Sequence, residues 1–143
     1  MLLTDLISQE QLCIDKYKQH ASEATDPNLK TLFSQLEQKE RTHHQTLSSL
    51  SQGTIPSMSG GEPSAPVPQA KSAAQGQAWE HDKYLCSDAL GTEKHVSSVY
   101  NTSVFEFADK SARQVLNHIQ TEEQEHGEKI FCYMSQNGMY AAV

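Results

Sequence analysis

The sequence predicts an all-α protein, a four-helix bundle assembled from two similar helical hairpins joined by a long crossover linker. Apolar residues recur at helical spacing on both sides of one interruption, and no stretch alternates polar and apolar residues as a half-buried strand does. The interruption, residues 51–77, shifts abruptly to Gly, Pro, Ser, Ala and Gln, and Pro56, Pro63, Pro66 and Pro68 forbid a continuous helix through it. The flanks also repeat. A shift of 83 places lays Asp5 on Asp88, Glu10 on Glu93, Tyr17 on Tyr100, Asp26 on Asp109, Glu40 on Glu123 and His43 on His126. Each flank is one hairpin, about 3–50 and 79–137. Neither can bury its apolar stripe alone, so the 143 residues form a single domain.

The first helix is expected from about Thr4 to Thr25, with Leu3, Leu6, Ile7, Cys13, Ile14, Tyr17, Ala21 and Ala24 on its apolar stripe. Asp26-Pro27 breaks it and starts the next, because Asp is a good N-cap and Pro a good first helical residue. The second helix continues through Leu29, Leu32, Phe33, Leu36, Leu47 and Leu50, antiparallel to the first across this short turn. The third is expected to start near Ser87 or a little earlier, directing Ala89, Leu90, Val96, Tyr100, Val104 and Phe107 inward. Asp109 caps the fourth, which presents Ala112, Val115, Leu116, Ile119, Ile130 and Met134 and stops near Asn137-Gly138.

A net charge of −7 with no Lys/Arg cluster argues against nucleic acid as a partner. No apolar stretch approaches the roughly 20 residues that span a bilayer, and Asp5 stands where a secretory signal carries basic residues. The expectation is a soluble, cytoplasmic protein without membrane contact. Cys13, Cys86 and Cys132 are far apart and form no Cys-x-x-Cys pair, which indicates neither a disulfide framework nor a zinc ribbon.

Glu10 and Glu93 sit inside apolar stripes, among Ile7 and Ile14 in one case and Leu90 and Val96 in the other. Glu40 with His43 continues the face of Leu36 toward Leu47, and Glu123 with His126 continues Ile119 toward Ile130. Buried carboxylates without partners cost several kcal/mol each and repel one another, a conflict that a pair of divalent cations resolves. Height along the bundle agrees. Glu10 and Glu40 each lie 15 residues from Thr25, roughly 22 Å at helical rise, and Glu93 and Glu123 each lie 15 from Ala108. Glu-x-x-His sets both side chains one turn apart on one face, so the carboxylate can bridge two ions while the imidazole binds one. A lone Glu-x-x-His is common in any Glu-rich helix. Two of them with two further inward glutamates at matched heights form the ligand set of di-iron and di-manganese bundles. Tyr17 and Tyr100 follow Glu10 and Glu93 by seven residues and are placed to hydrogen-bond a ligand carboxylate of another helix. Cys13 reads as packing, and His20, His44, His81, His95 and His118 lack a repeated partner and read mostly as exposed.

These residues resemble the ferritin-like superfamily across both hairpins and, more closely in the second, the spore coat protein F family. The closer resemblance rests on the run from Ala112 to Tyr140, with Thr-Glu-Glu-Gln-Glu-His near its middle and Tyr-Met-Ser-Gln-Asn-Gly-Met-Tyr near its end. The wider ferritin-like resemblance implies iron as the metal, with manganese the alternative. Rubrerythrins are similar in the Glu-to-Tyr spacing, but they carry an additional glutamate where this chain has Val96, and the chain has no Cys-x-x-Cys for their second iron centre. Nothing after Met139 supplies the fifth helix of a storage ferritin.

Two functions follow as expectations. One is a metal-dependent oxidoreductase in which two Fe or Mn ions act on dioxygen or peroxide. The other is a structural spore coat protein whose metal site is a staple or a remnant. The linker of roughly 27 residues is also long enough to permit a domain-swapped homodimer.

Overall fold

The computed structural model describes residues 2–57 and 71–140 as an all-α four-helix bundle, with no strand among them. The helices are α1 (Leu2–Glu23), α2 (Pro27–Ser51), α3 (Gly76–Ser103) and α4 (Lys110–Gln136), with a short 3-10 turn at Val104–Glu106 before α4. None of them is long and apolar enough to cross a membrane.

Local chemistry fixes the boundaries. Asp26 is extended and its carboxylate accepts from the backbone N–H of Asn28, and Asp109 does the same for Ala112. Each cap satisfies a donor the helix cannot satisfy itself, an effect of about 1 kcal/mol. At the end of α4, Gly138 takes φ +69° and lets Met139 N–H return to Met134 O at 2.8 Å. The carbonyls of the last turn are thereby paired, and Met139 is buried against the core.

The third helix departs from the sequence expectation, since it begins at Gly76, well before Ser87 and inside the segment read as linker. The end of α4 anchors this extra length. Asn137 accepts from Ser72 N through its side chain and from the Trp79 indole through its backbone carbonyl. Residues 58–70, with Pro63, Pro66 and Pro68, lie outside the described residues. A second departure lies at the other end of α3. Val104 and Phe107 do not continue the helical stripe; Val104 opens the 3-10 turn and Phe107 follows it, both half-buried against the core. Leu3, Ile7, Ala21 and Leu90 also lie at the margin of the core, partly buried.

Within each hairpin the helices are antiparallel, and α1 also runs antiparallel to α3. Thr25 meets Asp82, His20 meets Asp88 and Tyr100 meets Glu10. The start of α3 therefore adjoins the α1–α2 turn, at the opposite end of the bundle from Ser51. The apolar core falls into two clusters. One surrounds Leu29, Phe33, Leu85 and Tyr133, and the other surrounds Leu6, Leu47, Val115 and Ile119. Between them lies a layer of buried polar side chains.

Candidate metal centre

Each helix interrupts its apolar stripe in the same phase. On α1, Glu10 stands between Leu6 and Cys13, and on α3, Glu93 stands between Ala89 and Val96. On α2, Glu40 and His43 occupy successive turns between Leu36 and Leu47, as Glu123 and His126 do on α4 between Ile119 and Ile130. All six acidic and imidazole side chains are at most 3% exposed. They meet at one level of the bundle and form two overlapping groups, Glu10, Glu40, His43 and Glu123 in one and Glu40, Glu93, Glu123 and His126 in the other. Within each group one donor atom per residue lies within 4.8 Å of the others. Glu40 and Glu123 belong to both.

Both imidazoles aim Nδ1 into the cluster. His43 Nδ1 lies 2.8 Å from Glu123 and 3.2 Å from Glu40, and His126 Nδ1 lies 3.0 Å from Glu40 and 3.4 Å from Glu93. The rings stack with centroids 5.7 Å apart. Tyr17 donates its hydroxyl to Glu93 across the α1–α3 interface, and Tyr100 donates to Glu10. Burial raises the pKa of both phenols well above the usual range, and the neighbouring carboxylates add to it, so both hydroxyls keep their protons.

The electrostatics are those of a crowded acidic layer. Burial, reinforced by a hydrogen bond with Glu10, pushes Glu40 up to about 7. Burial and then the charge of Glu123 push Glu93 up to about 8, and burial also raises Glu10. Burial and the charge of Glu40 push Glu123 upward too, but hydrogen bonds from Glu93, His126 and His43 outweigh both and hold it below the usual carboxylate range. Burial disfavours the charged imidazoles, yet contacts with Glu10 and Glu122 for His43, and with Glu123 and Glu40 for His126, raise both well above the ordinary histidine value. Protons thus supply the positive charge that the carboxylates require.

The donor set fits a pair of metal ions. One oxygen each of Glu10, Glu93 and Glu123 is buried with no hydrogen-bond partner, a costly state that a cation relieves. Each group offers several carboxylate oxygens and one imidazole nitrogen, donors that suit Fe(II) or Mn(II) and do not favour soft thiophilic metals. Cys13 is fully buried nearby, but burial and the surrounding carboxylates push its thiol pKa far up, so it stays a protonated packing residue.

Several contacts of buried polar residues were not anticipated from the sequence. Glu122 lies beside the candidate ligand Glu123, and its Oε1 is 3.3 Å from His43 Nε2. Lys39 meets the same carboxylate at 2.6 Å and His118 at 3.1 Å. Burial would raise Glu122, but the hydrogen bonds from His43 and Lys39 dominate and bring it to about 2. The only signal was its adjacency to Glu123, since it falls one position off the apolar stripe. His20 is a correction. It is buried against Phe33, with Nε2 2.9 Å from Asp88, and is not a surface residue. Asp82, also fully buried, accepts from the backbone N–H groups of Thr25 and Asp26 at 2.8 and 3.0 Å, while Asp26 accepts from the Tyr133 hydroxyl at 2.5 Å.

Between α3 and α4 a cleft of about 570 Å³ opens to the surface, and Glu93 and Glu123 are among its lining residues.

Residues 81–143 match the Coat F domain. The matched span contains Glu93, Glu123 and His126 and leaves the first hairpin, with Glu10, Glu40 and His43, outside it. No curated protein and no solved structure matches the chain.

Proposed function

We propose that the chain is a spore coat-associated protein whose ferritin-like bundle holds a pair of metal ions, iron or alternatively manganese, between its four helices. The observation that supports the metal reading is the convergence of Glu10, Glu40, His43, Glu93, Glu123 and His126 into two overlapping groups that share Glu40 and Glu123. The Coat F match of the second hairpin supports the coat association.

In this reading Glu10, Glu40, His43 and Glu123 would hold one ion and Glu40, Glu93, Glu123 and His126 the other, with Glu40 and Glu123 belonging to both groups. Tyr17 and Tyr100 fix the orientation of Glu93 and Glu10 through their hydroxyls. The apolar clusters above and below exclude bulk water, which strengthens every charge interaction within the layer. When bound, such an ion pair supplies Lewis acidity and the capacity to change oxidation state. The protons that Glu40 and Glu93 retain without metal are the ones displaced when the site fills.

A second reading is that the centre turns over dioxygen or peroxide, and the cleft that reaches Glu93 and Glu123 favours it, because a purely structural staple needs no opening to solvent.

Metal analysis after reconstitution with Fe(II) tests the metal reading. It expects two ions per chain, and less than one sinks it. A fluorescent fusion followed through sporulation tests the coat association, which expects a ring at the spore surface; diffuse signal in vegetative cells overturns it. Consumption of peroxide by the loaded protein, set against metal-free protein, separates a catalyst from a staple.

A further inference from the structure

The internal repeat makes the two sides of the centre comparable residue by residue, and they differ where it matters for access. On the α1–α2 side the positions flanking the ligands carry Ile14 and His44. Their repeat partners on the α3–α4 side, 83 residues on, are Ser97 and Gly127. A buried branched side chain is thereby exchanged for a hydroxyl, and an imidazole for no side chain at all. The packing follows the composition, since α1 and α2 pack more extensively on each other than α3 and α4 do. The cleft lies on the side with the smaller residues, and both Ser97 and Gly127 line it.

We propose that the α3–α4 cleft is the route by which a small, hydrophilic, metal-coordinating molecule of the peroxide class reaches the centre, and that Gly127 and Ser97 hold it open. This rests on the metal reading above and adds the direction of approach, the ligand class and the gating residues. The cleft touches Glu93 and Glu123, two members of the group completed by Glu40 and His126, whereas Glu10 and His43 do not line it, so an arriving ligand would meet an ion held by Glu93 before one held by Glu10. Both Glu93 and Glu123 keep one buried oxygen without a partner, and so does the Ser97 hydroxyl, which is therefore free to hydrogen-bond an arriving oxygen or nitrogen atom. Gln120 reaches across from α4 to the Ser97 carbonyl at 3.0 Å and ties the two walls together. Apart from Leu90 and Gly127, every residue that lines the cleft carries a polar or charged group able to hydrogen-bond a peroxide-like ligand.

Gly127 carries no conformational requirement. A Cβ there meets Leu90 Cδ1 at 3.7 Å, an ordinary contact, so a larger side chain is accommodated by filling the cleft. Gly91, on α3 and lining a different groove toward α1, has nothing within 4 Å of such a Cβ and serves as the control.

The test uses azide, a small anion whose binding to Fe(III) produces a charge-transfer absorption. Full-length wild type, Gly127→Leu, Ser97→Ile and Gly91→Leu are loaded with iron, their metal content is measured, and azide association is followed by stopped-flow absorbance. The expected result is unchanged iron content in all four, association slowed by about tenfold or more in Gly127→Leu and Ser97→Ile, and a wild-type rate in Gly91→Leu. Ser97→Ile copies the residue that the first hairpin tolerates at the matching place, so it stands in should Gly127→Leu fail to fold. Full iron content with wild-type azide rates in both cleft variants overturns the route and leaves the metal reading standing. Failure of the wild-type protein to load iron removes both.

Discussion

The hydroxyl of Tyr17 on α1 donates to the carboxylate of Glu93 on α3, and the repeat reproduces the contact in reverse, Tyr100 on α3 donating to Glu10 on α1. The phenols therefore cross-brace the two helices that carry the single glutamates. Tyr17→Phe leaves a buried carboxylate oxygen without its donor and is expected to destabilise the metal-free protein by about 1–3 kcal/mol in urea denaturation. It is also expected to weaken metal binding by about 10–100-fold. An unchanged affinity would mean that Glu93 is oriented by something else.

Glu122 distinguishes the two imidazoles. It backs His43 through Nε2, while the repeat places Lys39, a cation that cannot accept a hydrogen bond, at the corresponding position beside Glu40. Glu122→Ala is expected to weaken one of two metal-binding events by about 10–100-fold and spare the other. Titration with Mn(II) under a competing chelator resolves the two steps, and equal weakening of both contradicts a role specific to His43.

Stability should respond to pH in opposite senses with and without metal. In the folded, metal-free chain Glu40 and Glu93 hold protons up to about 7 and 8, against an ordinary value of 4.5. As pH rises through 4.5 the unfolded chain releases those protons first, so the folded state binds more of them and stability falls as pH climbs toward about 8. Glu10, His43 and His126 act in the same sense; Glu123, held low, acts against them. Metal-loaded protein has these groups already deprotonated and gains stability over the same window as proton competition fades. Thermal melts between about pH 5 and pH 8, with chelator and with metal, should therefore diverge. Parallel curves would refute the proton-for-metal exchange.

Asp82 secures the far end of the bundle. It is the partner of two backbone N–H groups at the α1–α2 turn. Asp82→Ala strands both and is expected to cost about 3 kcal/mol by denaturation, while Tyr133→Phe, which removes one donor to Asp26, costs about 1 kcal/mol. Neither residue touches the acidic layer, so metal stoichiometry should be unchanged in each. A loss of metal from either variant would show that this end also governs the centre.

The four helices and the inward direction of the six candidate ligands were legible because both are written in spacing. Glu10 and Glu93 interrupt apolar stripes in phase, and equal distances from the two turns place all six at one height. What spacing does not encode is contact between helices at positions off the stripe. Glu122 reads as a solvent-facing charge until α2 is laid beside α4, and Asp82 lay close to a segment whose composition suggested a linker. The early start of α3 escaped for a related reason: the partner that holds it, Asn137, is 58 residues from Trp79. Val104 and Phe107 satisfied a helical period that the backbone abandons at Ser103.

Each of the two overlapping groups draws three residues from one hairpin and a single glutamate from the other, Glu123 in the first case and Glu40 in the second. An occupied position is thus a clasp between the halves. With the proposed ions bound, pulling the hairpins apart would strip both of a donor at the same moment, so separation and demetallation would become one event.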